Sequence, residues 1–257
     1  KPKFISVDAA AEFLSDDEPG VSVTVEGDAR FYPYQVLVYH EVVNDRFNGR
    51  RVLVTYCPLC RSAVVFDPLV SGERVEFGTS GKVWNSNLVM YDRAQNGLWS
   101  QILGQSLLGP SAGDILPVIP SDQVSFGKWK VQNPDGKVLS RDTGTTRSYG
   151  EDPYGDYYTK PGTRFPVTAV DDRLSDKTFV YGAVVNDQAK AYLPEAVLRD
   201  GLVEDQVAST TVMAEFDTVV DVVRLFTEVE DERKQVTSTP GFWFCWAATH
   251  PNTEIYD

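Results

Sequence analysis

Cys57-Pro58-Leu59-Cys60 places two thiols three residues apart, close enough to act as a pair. A two-residue gap lets both sulfurs face one point, either to bond to each other or to grip one metal ion. Residues 51–56 and 62–67 on either side, rich in Val, Thr and aromatic residues, read as strands, so the pair is expected on a turn between strands. A thioredoxin-like pair instead caps a helix, whose N-terminus lowers the first thiol's pKa. The strand setting therefore points to a metal knuckle, with a redox disulfide and an inert buried pair as the alternatives.

The chain has two histidines, so any further nitrogen ligand comes from a short roster. His40, in Tyr39-His40-Glu41, falls on the apolar face of a helix-like stretch over residues 34–44, directly before the strand that delivers the cysteines. Glu41 or Asp45 would orient its ring. Met90 offers a soft thioether, and a set of one His, two Cys and one Met selects copper over zinc or magnesium. Cys245 sits in the aromatic run Gly241-Phe242-Trp243-Phe244-Cys245-Trp246, read as a buried strand, with His250 five residues on. Cys57, Cys60, Cys245 and one His would make a tetrahedral zinc site. Gly78-Thr79-Ser80-Gly81 reads as a turn whose Ser80 donates into a nearby site. Signatures of serine hydrolases, P-loops, zincins and dinucleotide-binding folds are absent.

Short alternating segments separated by Gly, Asn, Asp and Pro recur along the chain, for example Val21-Ser22-Val23-Thr24-Val25 and Asn87-Leu88-Val89-Met90-Tyr91. This pattern predicts a mainly β, α+β protein. Helices are expected over residues 7–14, capped by Ser6, over 34–44, from Pro120 to Trp129, and from Pro194 to Arg199. The Gly-, Tyr- and Asp-rich residues 147–158 read as a surface loop or linker between lobes. Asp28-Ala29-Arg30-Phe31-Tyr32-Pro33 is echoed by Ala189-Lys190-Ala191-Tyr192-Leu193-Pro194, each leading into a helix-like segment. That echo suggests duplication, with a first β-rich lobe at residues 1–146 carrying the CPLC motif and a second, degenerate one at 147–257, packed as one unit.

The formal net charge is −13 over 257 residues, which repels phosphate backbones and excludes nucleic acid as a partner. An acid-rich surface suits a high-salt organism. No run of 18 apolar residues spans a membrane. The chain opens Lys1-Pro2-Lys3-Phe4 and reads as a trimmed form from which an export signal or lipid anchor has been removed.

Several segments together resemble the DUF3179 family. They are Ala29-Arg30-Phe31-Tyr32-Pro33, His40-Glu41-Val42-Val43-Asn44-Asp45, Thr55-Tyr56-Cys57-Pro58-Leu59-Cys60, Phe77-Gly78-Thr79-Ser80-Gly81, residues 85–93, Leu98-Trp99-Ser100-Gln101 and residues 242–246. The chain departs from the pattern at Cys245, where similar sequences carry Ala. The resemblance implies an exported or lipid-anchored protein, and the Tyr- and acid-rich loop is similar to versions from salt-loving archaea.

The expected function is an extracytoplasmic redox protein, an oxidoreductase if an enzyme. Copper, with zinc as the alternative, is held by His40, Cys57, Cys60 and Met90. Glu41, Asp45, Ser80, Asn85, Asn87 and Asp92 surround the site, and a small redox partner or small-molecule substrate is served. A metal-free thiol–disulfide oxidoreductase using Cys57 and Cys60 is the second expectation, and a non-catalytic binding or scaffold module the third.

Overall fold

The computed structural model describes residues 1–229 and 232–257. Strands make up 45% of the chain and short helices 15%, as the alternating sequence predicts. The strands form one five-stranded sheet, four four-stranded sheets and a small two-stranded ribbon. The five larger sheets stand as blades of a propeller-like ring.

This ring replaces the two lobes expected from the sequence. The reason lies in the cores. One apolar cluster joins Phe31 and Phe126 to Tyr192, Val197 and Leu225, and another joins Cys57 and Trp99 to Phe242 and Cys245. Both clusters therefore mix residues from either side of position 146, so the two halves share core rather than closing as separate lobes. Residues 147–158 do not link lobes. They end in the 3-10 turn Gly155–Tyr158, whose tyrosines pack on the second cluster.

The sequence echo has a structural counterpart. Strand Asp28–Pro33 leads into helix Tyr34–His40, and strand Gln188–Tyr192 into helix Pro194–Asp200. Each helix is followed by a hairpin-rich blade: Val42–Phe47, Arg50–Cys57 and Ser62–Phe66 in the first copy, and Val203–Val207, Thr210–Asp217 and Val222–Val229 in the second. Arg30 pairs with Asp45 at 2.6 Å, and Tyr32 donates to the same carboxylate at 2.6 Å. Lys190 and Tyr192 contact Asp205 in the same way, at 2.8 and 3.0 Å. The spacing is 15 residues for both cation–carboxylate pairs and 13 for both tyrosine–carboxylate pairs. Helices Phe126–Gln132 and Trp243–Thr249 complete the two copies, each followed by a strand that pairs in parallel with the strand carrying the cation.

The remaining blade, Phe77–Trp84, Asn87–Asp92, Leu98–Ser100 and Ser106–Leu108, is inserted within the first copy. Two local expectations change. Residues 121–125 are a strand, so the third helix starts at Phe126. Residues 243–249 form a helix rather than a strand. Six of its seven residues are buried, and a helix that is apolar all round shows no 3.6-residue stripe to distinguish it from a core strand.

Candidate functional site

Three blades meet at the thiols. The first supplies the turn. Strand Arg50–Cys57 ends with Cys57 paired to Ser62 across the hairpin, as the strand-like flanks predict. Pro58 fixes its own φ, and the Arg61 N–H closes the turn on the Pro58 carbonyl at 3.3 Å. Arg61 sits in the left-handed region at φ 48°.

The inserted blade supplies a hairpin tip. Asn85 and Ser86 have φ values of 51° and 56°, as a two-residue primed turn requires. Asn tolerates that conformation and Ser much less. Hairpin tips normally face water, yet Asn85, Ser86 and Asn87 are all buried. The tip touches the cysteines directly. The Cys60 thiol donates to the Ser86 carbonyl at 3.3 Å, the Leu88 N–H donates to Cys57 Sγ at 3.3 Å, and Asn87 Nδ2 donates to Cys60 Sγ at 3.4 Å. Asn85 ties the tip to its surroundings by accepting from the Thr168 N–H and donating to the Ala248 carbonyl.

The third blade contributes helix Trp243–Thr249, which places Cys245 Sγ 2.8 Å from Cys60 Sγ. The Phe242 N–H donates to the Cys60 carbonyl at 2.8 Å and pins this blade to the turn. The approach needs glycine at position 241, where a Cβ would meet Cys60 O at 3.2 Å and Ser62 Cβ at 3.0 Å.

A buried polar chain runs behind the sulfurs. Gln101 donates to Thr55 and accepts from Ser62 and from Asn87, and Asn87 reaches Cys60. Within this shell the Ser86 hydroxyl is buried with no partner. Ser86→Gly removes an unsatisfied hydroxyl and a strained φ together. It is expected to stabilise the protein by about 1 kcal/mol, read as a higher denaturation midpoint at unchanged m-value.

The thiols are sealed. Cys57, Cys60 and Cys245 are 1%, 0% and 0% exposed. Burial pushes all three up from the ordinary thiol range, Cys57 and Cys60 furthest. They hold their protons at neutral pH, so reaction at these sulfurs needs local opening. Tyr154, Tyr157 and Tyr158 pack against the cluster, and the Tyr157 hydroxyl donates to the Leu59 carbonyl at 2.8 Å. A cleft of about 560 Å³ reaches Leu59 and Tyr154.

The structure brings together only some of the residues expected at the site. Cys57, Cys60 and Asn87 meet, and Met90 lies fully buried in the same apolar cluster. His40 does not join them. Its chain turns away at Glu41, which has φ 58°, and its ring bonds the Tyr149 hydroxyl at 2.6 Å beside a different cleft. Asp45 serves Arg30 and Tyr32. Asp92 lies at the other end of strand Asn87–Asp92 and accepts from Ala94, Gln95 and Gly97 N–H groups and the Trp99 ring. Ser80 donates to the Val89 carbonyl. His250 stacks on Trp246 at 3.9 Å. Gln101, Thr55 and Ser62 were not anticipated. The signal for Gln101 was its place in Leu98-Trp99-Ser100-Gln101, an amide beside a buried aromatic. Among the described residues no group of three or more His, Cys, Asp or Glu side chains is placed to hold one metal ion.

Residues 1–239 match the model of a family described as a protein of unknown function, DUF3179. The chain belongs to the DUF3179 family. No curated protein and no solved structure matches it. Within this DUF3179 chain the CPLC turn and the Asn85–Asn87 tip fall inside the matched segment, whereas Cys245 falls beyond it. Among the described residues no helix is long and apolar enough to cross a membrane.

Glu41 adds a titrating group near the cover. Burial pushes its carboxyl up to about 7, and its charge adds to the burial that raises the Tyr154 hydroxyl. A carboxyl with a raised folded pKa binds more protons folded than unfolded, so its contribution to stability falls as pH rises from about 4.5 to about 7. His40, held below its usual range by burial, acts in the opposite sense near its unfolded value of 6.5. Glu41→Gln isolates the carboxyl. Its melting temperature is expected to exceed the parent's at pH 8 and to match it at pH 4, measured by thermal scans across that range.

Proposed function

We propose that this DUF3179 chain is a thiol-redox protein in which Cys60 and Cys245 interconvert between dithiol and disulfide, with Cys57 the third thiol beside Cys60. The observation that carries this reading is the 2.8 Å separation of their sulfurs. Two thiolates on one tetrahedral metal, with bonds of roughly 2.3 Å, stand about 3.8 Å apart, and a disulfide closes to about 2.0 Å. The observed pair is nearer the disulfide. It differs from the Cys57–Cys60 exchange expected from sequence spacing by making Cys60 the central sulfur.

The oxidant is a small-molecule disulfide. A Cys60 thiolate attacks one of its sulfurs, forming a mixed disulfide and expelling one small thiolate, which takes the proton Cys60 gave up. Cys245, deprotonated in turn, attacks the Cys60 sulfur and expels the second small thiol. The net reaction consumes one disulfide and two protein thiols and yields one protein disulfide and two small thiols. The raised thiol pKa values make the first attack slow until the tyrosine cover opens. The acid-rich surface and the disulfide chemistry together suit an exported protein of a salt-loving archaeon, outside the reducing cytoplasm.

Redox titration against dithiothreitol buffers, with thiols counted after denaturation, tests this. Two thiols are expected to disappear together as a two-electron couple while one stays free. Three free thiols at every oxidising poise would refute the proposal.

A second reading rests on the two N–H donors aimed at sulfur, from Leu88 to Cys57 and from Asn87 to Cys60. Donors of that kind stabilise thiolate ligands, and soft thiolates select monovalent copper, with the Met90 thioether in the same cluster. About one copper per chain by elemental analysis, lost together in Cys57→Ser and Cys60→Ser, would favour copper over disulfide chemistry.

A further inference from the structure

The two copies of the fold treat one position differently. The turn residue of the second copy that corresponds to Arg61 is Asp221, also left-handed at φ 59°. Asp221 is neutralised by Lys128 at 2.5 Å, from helix Phe126–Gln132. At the first-copy turn the matching helix, Trp243–Thr249 of the second copy, presents Cys245, which faces Cys60 instead. Among the described residues no carboxylate lies within ion-pair distance of the Arg61 guanidinium, which packs 5.7 Å from the Phe179 ring.

That guanidinium borders a cavity of about 260 Å³. Tyr34 and Tyr56, stacked at 4.1 Å, and Tyr158 form its aromatic wall. The Arg61 charge acts on all three hydroxyls, against the burial that raises them. Glu18, Glu151 and Asp152 line the same space. A simple anion there meets three carboxylates, and a simple cation meets Arg61. A small zwitterion satisfies both signs, because a guanidinium binds a carboxylate through two parallel hydrogen bonds. The volume lies just under the roughly 300–1,000 Å³ of pockets for drug-sized ligands, which suits a molecule the size of an amino acid.

We infer that this cavity binds a small α-amino-acid-type zwitterion, its carboxylate on Arg61 and its ammonium group on the side of Glu151 and Asp152. This inference is independent of the redox chemistry, since no cysteine lines the cavity.

Calorimetric titration of the whole protein with L-phenylalanine, phenylacetate and phenethylamine tests it, because the last two probes each lack one charge. Saturable binding of L-phenylalanine is expected, at least tenfold tighter than either single-charge analogue. Arg61→Asn removes the guanidinium while keeping a residue that tolerates the left-handed backbone. It is expected to weaken L-phenylalanine binding at least tenfold with an unchanged far-ultraviolet spectrum. Arg46→Gln, whose side chain among the described residues reaches the exposed Gly49 carbonyl, is expected to bind as the parent does. Phenylacetate binding as tightly as L-phenylalanine, equal binding by folded Arg61→Asn, or no saturable heat up to about 10 mM would overturn the inference.

Discussion

Reduction of the Cys60–Cys245 bridge is expected to lower the melting temperature by roughly 10–20 °C. The bond would close a loop across 185 residues. In the chain-entropy treatment, removing that much freedom from the unfolded ensemble stabilises by about 5 kcal/mol. For a chain of this size each kcal/mol moves the midpoint by about 2–4 °C. The figure is an upper one, because closing the bond also asks the helix and the turn to approach by roughly 0.8 Å. Calorimetric scans with and without reductant measure it. Cys60→Ala and Cys245→Ala are expected to abolish the dependence on reductant, and Cys57→Ala to retain it. A dependence that survives in Cys245→Ala would transfer the bridge to Cys57–Cys60.

Asp45→Ala is expected to cost about 3–5 kcal/mol, the range for stranding one member of a buried ion pair. Arg30 lies between the rings of Phe4 and Phe47, at 4.7 and 3.9 Å, and its side chain is 8% exposed. Asp45 accepts from both Arg30 and Tyr32. Without it the guanidinium keeps only Asp28, and a fully buried tyrosine hydroxyl loses its acceptor. Asp205→Ala removes the equivalent carboxylate of the second copy and is expected to cost less, about 1–3 kcal/mol. Lys190 retains Glu254 at 3.5 Å, and its flexible stem can carry the ammonium toward water. Denaturant titrations of both variants check the order, which equal costs would contradict.

Much of this was legible in the residues themselves. Runs rich in Val, Thr and aromatic residues on both sides of Cys57-Pro58-Leu59-Cys60, punctuated by Asn48-Gly49 and Asp67-Pro68, placed the thiols on a turn between strands, because strand propensity and punctuation are properties of the segment alone. The duplicated cation-x-Tyr strand was readable for the same reason, although its Asp partner 13 or 15 residues on was not. What failed depended on distant contacts. No local pattern says that the core of one half will be finished by the other, so a ring read as two lobes. His40 sits at helical spacing from Leu37, yet the left-handed Glu41 turns the chain so that the ring meets Tyr149 rather than sulfur. Cys245 lay in an uninterrupted apolar run, where helix and strand share one composition, and only the helix brings its sulfur to Cys60. Asp92 was expected around the site because it shares the segment of residues 85–93 with Asn85, Asn87 and Met90, whereas its carboxylate accepts from the backbone of its own turn.

The most direct test of the central claim is peptide mapping by mass spectrometry after oxidation with a small disulfide, alkylation of free thiols and non-reducing digestion. A cross-linked pair containing Cys60 and Cys245, with Cys57 alkylated, is the predicted result. A Cys57–Cys60 pair with Cys245 alkylated, or three alkylated cysteines, would contradict it.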